Sequence, residues 1–197
     1  MYITRNHLDI YRSLISEESA RRLKSRPPIL TESAKTPNQR TIFLSHSHID
    51  KDLVEKVALF LLDKGASIYV DWQDSSMPIV TSAKTADNIK SRIRSCDEFV
   101  VLASNNALES KWVPWELGFA DASKGVSKVY IFPVADNDGT WKGSEYFDLY
   151  QKIELGTLPA TKRFTELVVK EPEHSFVANS FKYRFKQNTD NSTYYVR

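Results

Sequence analysis

The sequence lacks the features of an exported, membrane-spanning or disulfide-stabilised protein. Its single cysteine, Cys96, excludes an internal disulfide and fits a reducing cytosol. No apolar run approaches the roughly 18 residues that a membrane span requires. The first residues are polar or charged where a signal peptide has an apolar stretch. We therefore expect a cytoplasmic protein that does not enter a membrane.

Neither sign of charge predominates in the sequence. The 197 residues include 27 basic and 25 acidic side chains, which gives a net charge of +2. Such a balance provides no bulk attraction to nucleic acid or to an anionic membrane. Aromatic and basic residues alternate at 181–186, but this pattern favours a half-buried edge strand over a site for single-stranded nucleic acid. We expect no nucleic-acid partner.

Several common catalytic and binding motifs are absent. The sequence has neither G-x-G-x-x-G nor G-x-x-x-x-G-K-[ST], which disfavours a Rossmann dehydrogenase and a P-loop nucleotidase. It also lacks the G-x-S-x-G elbow of serine hydrolases. His46 and His48 are too few for a zinc site, and we expect no metal. Because Ser45 and His46 stand where a phospho-receiver needs acidic residues, that class is excluded too.

What the sequence does contain is a regular alternation of buried strands and amphipathic helices. Short apolar runs at 41–45, 68–70, 99–102 and 129–132 are typical of strands covered on both faces. Between them lie helical patterns with these apolar positions: Leu53, Val54, Val57, Ala58, Leu61, Ala86, Ile89, Ile93 and Cys96. Residues 47–50 are expected to cap the first of these helices. The pattern predicts a flavodoxin-like, doubly wound parallel α/β sheet.

The topology of such a sheet predicts where a ligand binds. Ligands lie beyond the carboxyl ends of the strands, where the winding direction reverses, between the first and third strands. The rims of this cleft are then Ser45-His46 and Ser104-Asn105-Asn106, with Asp71 on one side.

We divide the chain into three parts. Residues 1–39 are predicted to form an amphipathic helix of about 25 residues, ending near Arg26, and a polar linker. Residues 40–135 form the core, and residues 136–197 complete the domain and extend it. In this last part we expect a helix through 146–153, a fifth strand at 167–169 and an edge strand at 181–185.

The segment 110–121 carries the strongest chemical signal. A helix entered near Pro114 gathers Trp112, Trp115, Glu116 and Phe119 on one side. If that side lines a cleft, burial raises the pKa of Glu116, and the indole faces can stack on a flat cation. The alternative is that the tryptophans belong to the core and Glu116 is solvated. The residues of this segment alone do not decide between the two.

Taken in order, these segments resemble a known family, the Toll/interleukin-1 receptor (TIR) domains. The resemblance covers roughly residues 40–135 and rests on four motifs: Ile42-Phe-Leu-Ser-His46, Tyr69-Val-Asp71 with the loop to Met77-Pro78, Phe99-Val-Val-Leu102, and Trp112-Val-Pro-Trp-Glu116. It implies a five-stranded parallel sheet. It also implies that the loop at 72–81 is a mobile gate and a self-association element.

The resemblance further implies an activity. Many TIR domains cleave NAD+ between nicotinamide and ribose, and their essential glutamate corresponds to Glu116, with Trp112 as its neighbour. Ser45, His46, Asp71 and Met77 correspond to positions around the substrate. NAD+ is then the substrate, with no further cofactor, and a bacterial antiphage system of the Thoeris type with a separate effector is the implied context. Two alternatives remain: a non-catalytic TIR–TIR interaction module, and a nucleoside glycosyl-transferring enzyme.

Overall fold

The structure is a computed structural model that describes residues 2–18, 21, 40–64, 66–70, 82–157, 164–170, 172, 177–180 and 193–195. Three predicted features lie outside these residues: the linker up to residue 39, the loop 71–81 with Asp71 and Met77, and the alternating segment at 181–186.

Strands and helices alternate along most of the chain. The strands are β1 (Ile3–Thr4), β2 (Thr41–Ser45), β3 (Ser67–Tyr69), β4 (Glu98–Ala103), β5 (Val129–Ala135), β6 (Gln151–Thr157), β7 (Phe164–Lys170), β8 (Val177–Ser180) and β9 (Thr193–Tyr195). The α-helices are α1 (Arg5–Leu14), α2 (Lys51–Asp63), α3 (Ala83–Ser95) and α4 (Trp112–Lys124). Short 3₁₀ turns at His48–Asp50, Asn105–Glu109, Val126–Lys128 and Glu145–Leu149 connect them.

Five parallel strands form the centre of the sheet in the order β3-β2-β4-β5-β6. This is the flavodoxin-like order, and it confirms the predicted fold class. Because β3 lies on one side of β2 and β4 on the other, the winding reverses between β2 and β4. The carboxyl ends of these two strands, Ser45 and Ala103, therefore border the crevice where such folds bind ligands.

Helices cover both faces of the sheet. Ile42 and Leu44 of β2 pack in a core cluster with side chains of α1 and α2. Phe43 points to the opposite face and packs with residues of α3 and α4. Since side chains of a strand alternate between faces, Ser45 lies on the same face as Phe43, beneath α4.

The region after β5 differs from the prediction. Instead of a helix through 146–153, one 3₁₀ turn ends at Leu149 and β6 begins at Gln151. The apolar spacing at 146–153 suits a helix, but Phe147 is buried on one face of the sheet and Ile153 on the other. The strand expected at 167–169 exists as part of β7, which is antiparallel to β6. Strand β6 is thus the fifth parallel strand.

The added strands close on one another. Strand β7 pairs with β8, β8 pairs with β9, and β9 returns to β6 through Thr157 and Tyr195, all antiparallel. The C-terminal extension of the sheet is therefore a ring of four strands that shares β6 with the parallel part.

The N-terminal helix predicted to run to about residue 26 is interrupted after Leu14, and residues 17, 18 and 21 are helical again. Helix α1 ends at Leu14, because Ile15 adopts an extended conformation with φ −78° and ψ 127°. Before it, β1 pairs in parallel with the carboxyl end of β5, which the sequence did not indicate. Thr4 ends this strand and forms a capping box with His7, so strand and helix follow directly.

The longest α-helices among the described residues have 13 residues. Within this part of the chain, no helix is both long enough and apolar enough to cross a membrane.

Candidate active site

A buried serine and a buried glutamate meet at the carboxyl end of β2. Ser45 is 1% exposed and Glu116 is 5% exposed. The Ser45 hydroxyl donates a hydrogen bond of 2.5 Å to Oε2 of Glu116. A carboxylate out of bulk water needs such donors, since an unsatisfied buried charge is costly. The contact joins α4 to the strand end at the crevice.

The start of α4 determines which way Glu116 points. The Ser110 hydroxyl oxygen accepts from the backbone N–H groups of Trp112 and Val113, each at 3.3 Å, and so caps the helix. Pro114 lies in the first turn, where a helix needs no N–H from it. Glu116 falls on the buried side of the helix, together with Val113, Leu117 and Ala120.

The aromatic residues of α4 form a ladder along its outer side. The rings of Trp112 and Trp115 meet edge to face at 5.3 Å, and Trp115 stacks with Phe119 at 6.2 Å. The Lys90 ammonium lies 5.7 Å from the Trp115 ring centre. Trp115 is 37% exposed, while Trp112 is half-buried and packs against the core. The aromatic rings therefore lie towards the outer side of α4, whereas Glu116 lies on its buried side.

The C-terminal half of α4 is also held in place. Tyr150 donates a hydrogen bond of 3.1 Å to Oδ2 of Asp121. Burial and, second, the negative charge of Asp121 raise the pKa of Tyr150 to about 12. Lys124 donates to the Cys96 carbonyl at 2.5 Å, and burial lowers the pKa of this lysine. These contacts fix the helix that carries Glu116.

His46 follows Ser45 and is 7% exposed. Its Nδ1 lies 3.1 Å from the Leu44 carbonyl oxygen, so this nitrogen carries the proton in that contact. The ring centre of His46 is 6.4 Å from that of exposed His48. Nowhere in the described part of the chain do three or more His, Cys, Asp or Glu side chains come together as in a metal site.

The structure thus brings together Ser45 and Glu116, with His46 next in the chain and Trp112 one helical turn before the glutamate. It does not describe Asp71 or Met77, so their assignment stays a prediction.

A cavity of about 370 Å³ lies elsewhere, beside β1, and is lined by Tyr2, Thr4, His7, Ala135, Gly139, Glu154 and Lys170. None of the predicted site residues lines it.

A second buried carboxylate, whose role the sequence did not indicate, lies at the same end of the sheet. Asp50 is 2% exposed and accepts hydrogen bonds from Ser104 Oγ at 2.5 Å, Asn106 Nδ2 at 2.7 Å and Arg5 Nη2 at 3.2 Å. Ser47 and Asp50 occupy the N-cap positions of the 3₁₀ turn and of α2, as predicted, but neither side chain makes a capping hydrogen bond. The polar run at 104–106 after β4 was the available signal.

Comparison with known proteins identifies the family of this chain. The sequence pattern that defines the TIR domain matches residues 42–166, which is more than half of the chain. The chain belongs to the TIR domain family. The match confirms the resemblance inferred from the motifs and continues past the residues that carry those motifs.

Two relatives of this TIR protein carry names that describe an activity. One, from Bacillus cereus (strain MSX-D12), is named "Probable 3' cyclic ADP-D-ribose synthase ThsB'" and is 36% identical over 121 residues, covering 59% of this chain and 62% of the relative. Another, from Cytobacillus dafuensis, is named "Putative cyclic ADP-D-ribose synthase TIR2" and is 27% identical over 128 residues, covering 56% of this chain and 34% of the relative. The chain therefore spans less than two thirds of either relative.

Proposed function

We propose that this TIR protein cleaves NAD+ at the bond between nicotinamide and ribose, with Glu116 as the essential catalytic residue. The observation that carries the proposal is the contact between the buried Glu116 carboxylate and the Ser45 hydroxyl at the carboxyl end of β2. This contact lies where the winding direction of the sheet reverses, the place at which α/β sheets bind ligands. The names of the two relatives support the same chemistry.

One carboxylate is sufficient for this reaction. Ordinary glycosidases use two, because one must protonate the leaving oxygen. In NAD+ the nicotinamide is already cationic, and it leaves as a neutral molecule when the electron pair of the glycosidic bond moves to its nitrogen. Glu116 then has to orient the ribose and stabilise the positive charge that develops on it. Fixed charges of this kind are worth a few kcal/mol in the transition state.

The neighbouring residues receive supporting roles in this proposal. Ser45 holds one oxygen of Glu116 and thereby the direction of the carboxylate. Trp112 supplies an aromatic wall beside the substrate, since an indole face attracts a flat cation. His46, Asp71 and Met77 contact the nicotinamide-ribose half of NAD+. NAD+ enters as the substrate, so the reaction requires no resident cofactor.

The product we propose is a cyclic isomer of ADP-ribose, in keeping with the names of both relatives. After nicotinamide leaves, an atom of the adenine or of the second ribose bonds to the anomeric carbon and releases a proton. Attack by water in its place gives linear ADP-ribose. The balance between the two depends on how well the site excludes water while it holds the adenosine half.

We further propose a cellular role for this nucleotide. The protein acts in the cytoplasm as part of an antiphage signalling system of the Thoeris type, in which the product acts on a separate effector. Self-association through the loop at 72–81 completes the site. Residues 40–135 form the catalytic core, residues 1–39 precede it, and residues 136–197 complete and extend the domain.

The decisive experiment compares nucleotides in cells that express the parent chain, Glu116→Gln or Glu109→Gln during phage infection. Glu109 is an exposed carboxylate in the 3₁₀ turn before α4 and serves as the matched control. We expect nicotinamide release and a cyclic product with the parent and the control. Loss of the carboxylate charge in Glu116→Gln lowers both about a hundredfold or more. Equal NAD+ consumption by Glu116→Gln contradicts the catalytic assignment.

A further inference from the structure

The N-terminal segment lies before the residues that match the TIR family, yet it contacts the carboxyl end of the sheet. Ile3 and Thr4 of β1 pair with Val134 and Ala135 of β5. The backbone N–H of Asn6 donates to Oδ1 of Asn137 at 2.8 Å. Ser45 and Glu116 meet at this same carboxyl end of the sheet.

Within this segment, one side chain connects two separate carboxylates. Arg5 Nη2 lies 3.2 Å from Oδ1 of Asp50, and Arg5 Nε lies 3.1 Å from Oδ1 of Asp136. Asp50 follows β2 by five residues, and Asp136 directly follows β5. A planar guanidinium can bind two acceptors at once in a fixed geometry, which an ammonium cannot do.

Asp50 transmits this constraint to the candidate active site. Its side chain is 1% exposed, and its other oxygen accepts from the hydroxyl of Ser104, which also caps the turn after β4 through the backbone N–H of Ala107. Asp136 accepts a hydrogen bond of 2.7 Å from Nδ2 of Asn105, which belongs to the same turn. Arg5 thus holds the segments that follow β2, β4 and β5 in one arrangement. The first of these segments begins directly after Ser45, the donor to Glu116.

We propose that Arg5 is a positioning residue for the candidate active site: its guanidinium joins Asp50 and Asp136 and so sets the position of residues 45–50 relative to Glu116. The inference rests on the proposed NAD+ cleavage for its effect on rate. Arg5 acts through the residues it holds and needs no contact with the substrate.

The test compares Arg5→Met, Arg5→Lys and Asp136→Asn with the control Arg12→Met. Arg12 lies on the same helix, its side chain is 27% exposed against 31% for Arg5, and it pairs with exposed Glu17 at 2.9 Å. Since misplacement of a catalytic group by about 1 Å can cost about a hundredfold in rate, we expect Arg5→Met to lower kcat about tenfold to a hundredfold. KM changes less. Arg5→Lys restores part of the rate, and Asp136→Asn causes a smaller loss.

Amide hydrogen exchange gives a second reading that does not depend on activity. The Asp50 N–H donates to the Ser47 carbonyl at 2.9 Å, and the Ala107 N–H donates to the Ser104 carbonyl at 3.1 Å. We expect both amides to exchange faster in Arg5→Met than in the parent, and to keep the parental rate in Arg12→Met. Asp136→Asn removes the charge of the surface partner of Arg5 and leaves no buried charge unpaired, so it is a milder second variant if Arg5→Met does not fold.

Two results overturn the inference. One is an Arg5→Met protein with the kcat and the amide exchange of Arg12→Met. The other is a lower melting temperature in Arg5→Met with unchanged kcat, because the residue is then merely structural. If the parent itself never cleaves NAD+, the proposed function fails and the rate effect with it, while the exchange rates still decide whether Arg5 orders the segment after β2.

Discussion

Two buried carboxylates at the same end of the sheet make nearly identical contacts with serine. Glu116 accepts from Ser45 at the end of β2, and Asp50 accepts from Ser104 just after β4, both at 2.5 Å. The strands concerned are neighbours. The two carboxylates differ in what else surrounds them. Asp50 joins the segments after β2 and β4 to the N-terminal Arg5, whereas Glu116 projects from a helix whose outer side is lined by tryptophans.

This difference separates a structural carboxylate from a candidate catalytic one. Arg5 and Asn106 bind one oxygen of Asp50, and Ser104 binds the other. A carboxylate held at both oxygens by donors from two other segments resists movement and stabilises the arrangement of all three segments. Burial and a serine partner are therefore insufficient to identify a catalytic acid. The distinction lies in the helix that presents Glu116 and in the bonds that tie Asp50 to the N-terminal segment and to the turn after β4.

The largest effect on stability that this contrast predicts is that of Asp50→Ala. The substitution removes hydrogen bonds from three donors and leaves Arg5 without its buried partner. We expect the free energy of unfolding to fall by about 3 kcal/mol, as when a buried ion pair loses one member. Asp52→Ala is the control, because its side chain is 82% exposed and its ion pair with Lys56 is worth under about 1 kcal/mol. Urea denaturation of both variants measures the difference.

Replacing the serine donors tests the same contrast, with smaller expected losses of stability. Ser104→Ala loses the bond to Asp50 and the cap on Ala107, so we expect a loss of about 2 kcal/mol in unfolding free energy. Ser45→Ala loses a single bond to Glu116, which costs less stability but disturbs the proposed catalytic group. Its kcat for NAD+ should fall about tenfold below that of the parent, since a hydrogen bond to a charged group is worth about 1.5 kcal/mol or more. A parental kcat in Ser45→Ala contradicts the distinction.

The smallest effect concerns a third pair of hydroxyl and carboxylate, Tyr150 and Asp121 at the far end of α4. Tyr150→Phe removes one hydrogen bond and should cost about 1 kcal/mol at pH 7. The pKa of Tyr150 is raised from 10.0 to about 12, chiefly by burial, so the folded protein keeps the phenol proton where the unfolded chain loses it. This stabilisation is complete below pH 10 and is lost as pH rises towards 12. Unfolding free energies measured from pH 9 to pH 12 should fall less in Tyr150→Phe than in the parent.

The core of the fold was predictable because its signals are local. Apolar runs bounded by polar residues identified β2 through β5 to within a few residues, and the spacing of Leu53, Val57 and Leu61 identified the buried side of α2. From the alternation of these elements, the parallel sheet and the crevice between Ser45 and the turn after β4 followed from general rules of topology.

The rest depends on contacts that no local pattern contains. Arg5, Asp50 and Ser104 are distant in sequence, and only the folded chain brings them together. Strand β1 has two residues, too few for a periodic signal. At 146–153 the apolar spacing suited a helix, and the pairing of β6 with both β5 and β7 prevailed over it.

The ring of strands at the C-terminal side has a consequence for how copies of this chain can meet. Because β9 returns to β6, each described strand of the ring has a neighbour on both sides, which disfavours growth of the sheet there. Apart from the two-residue β1, β3 is the described strand with a single neighbour. Among the described strands, backbone pairing between copies would therefore begin at β3 and extend the sheet in one direction.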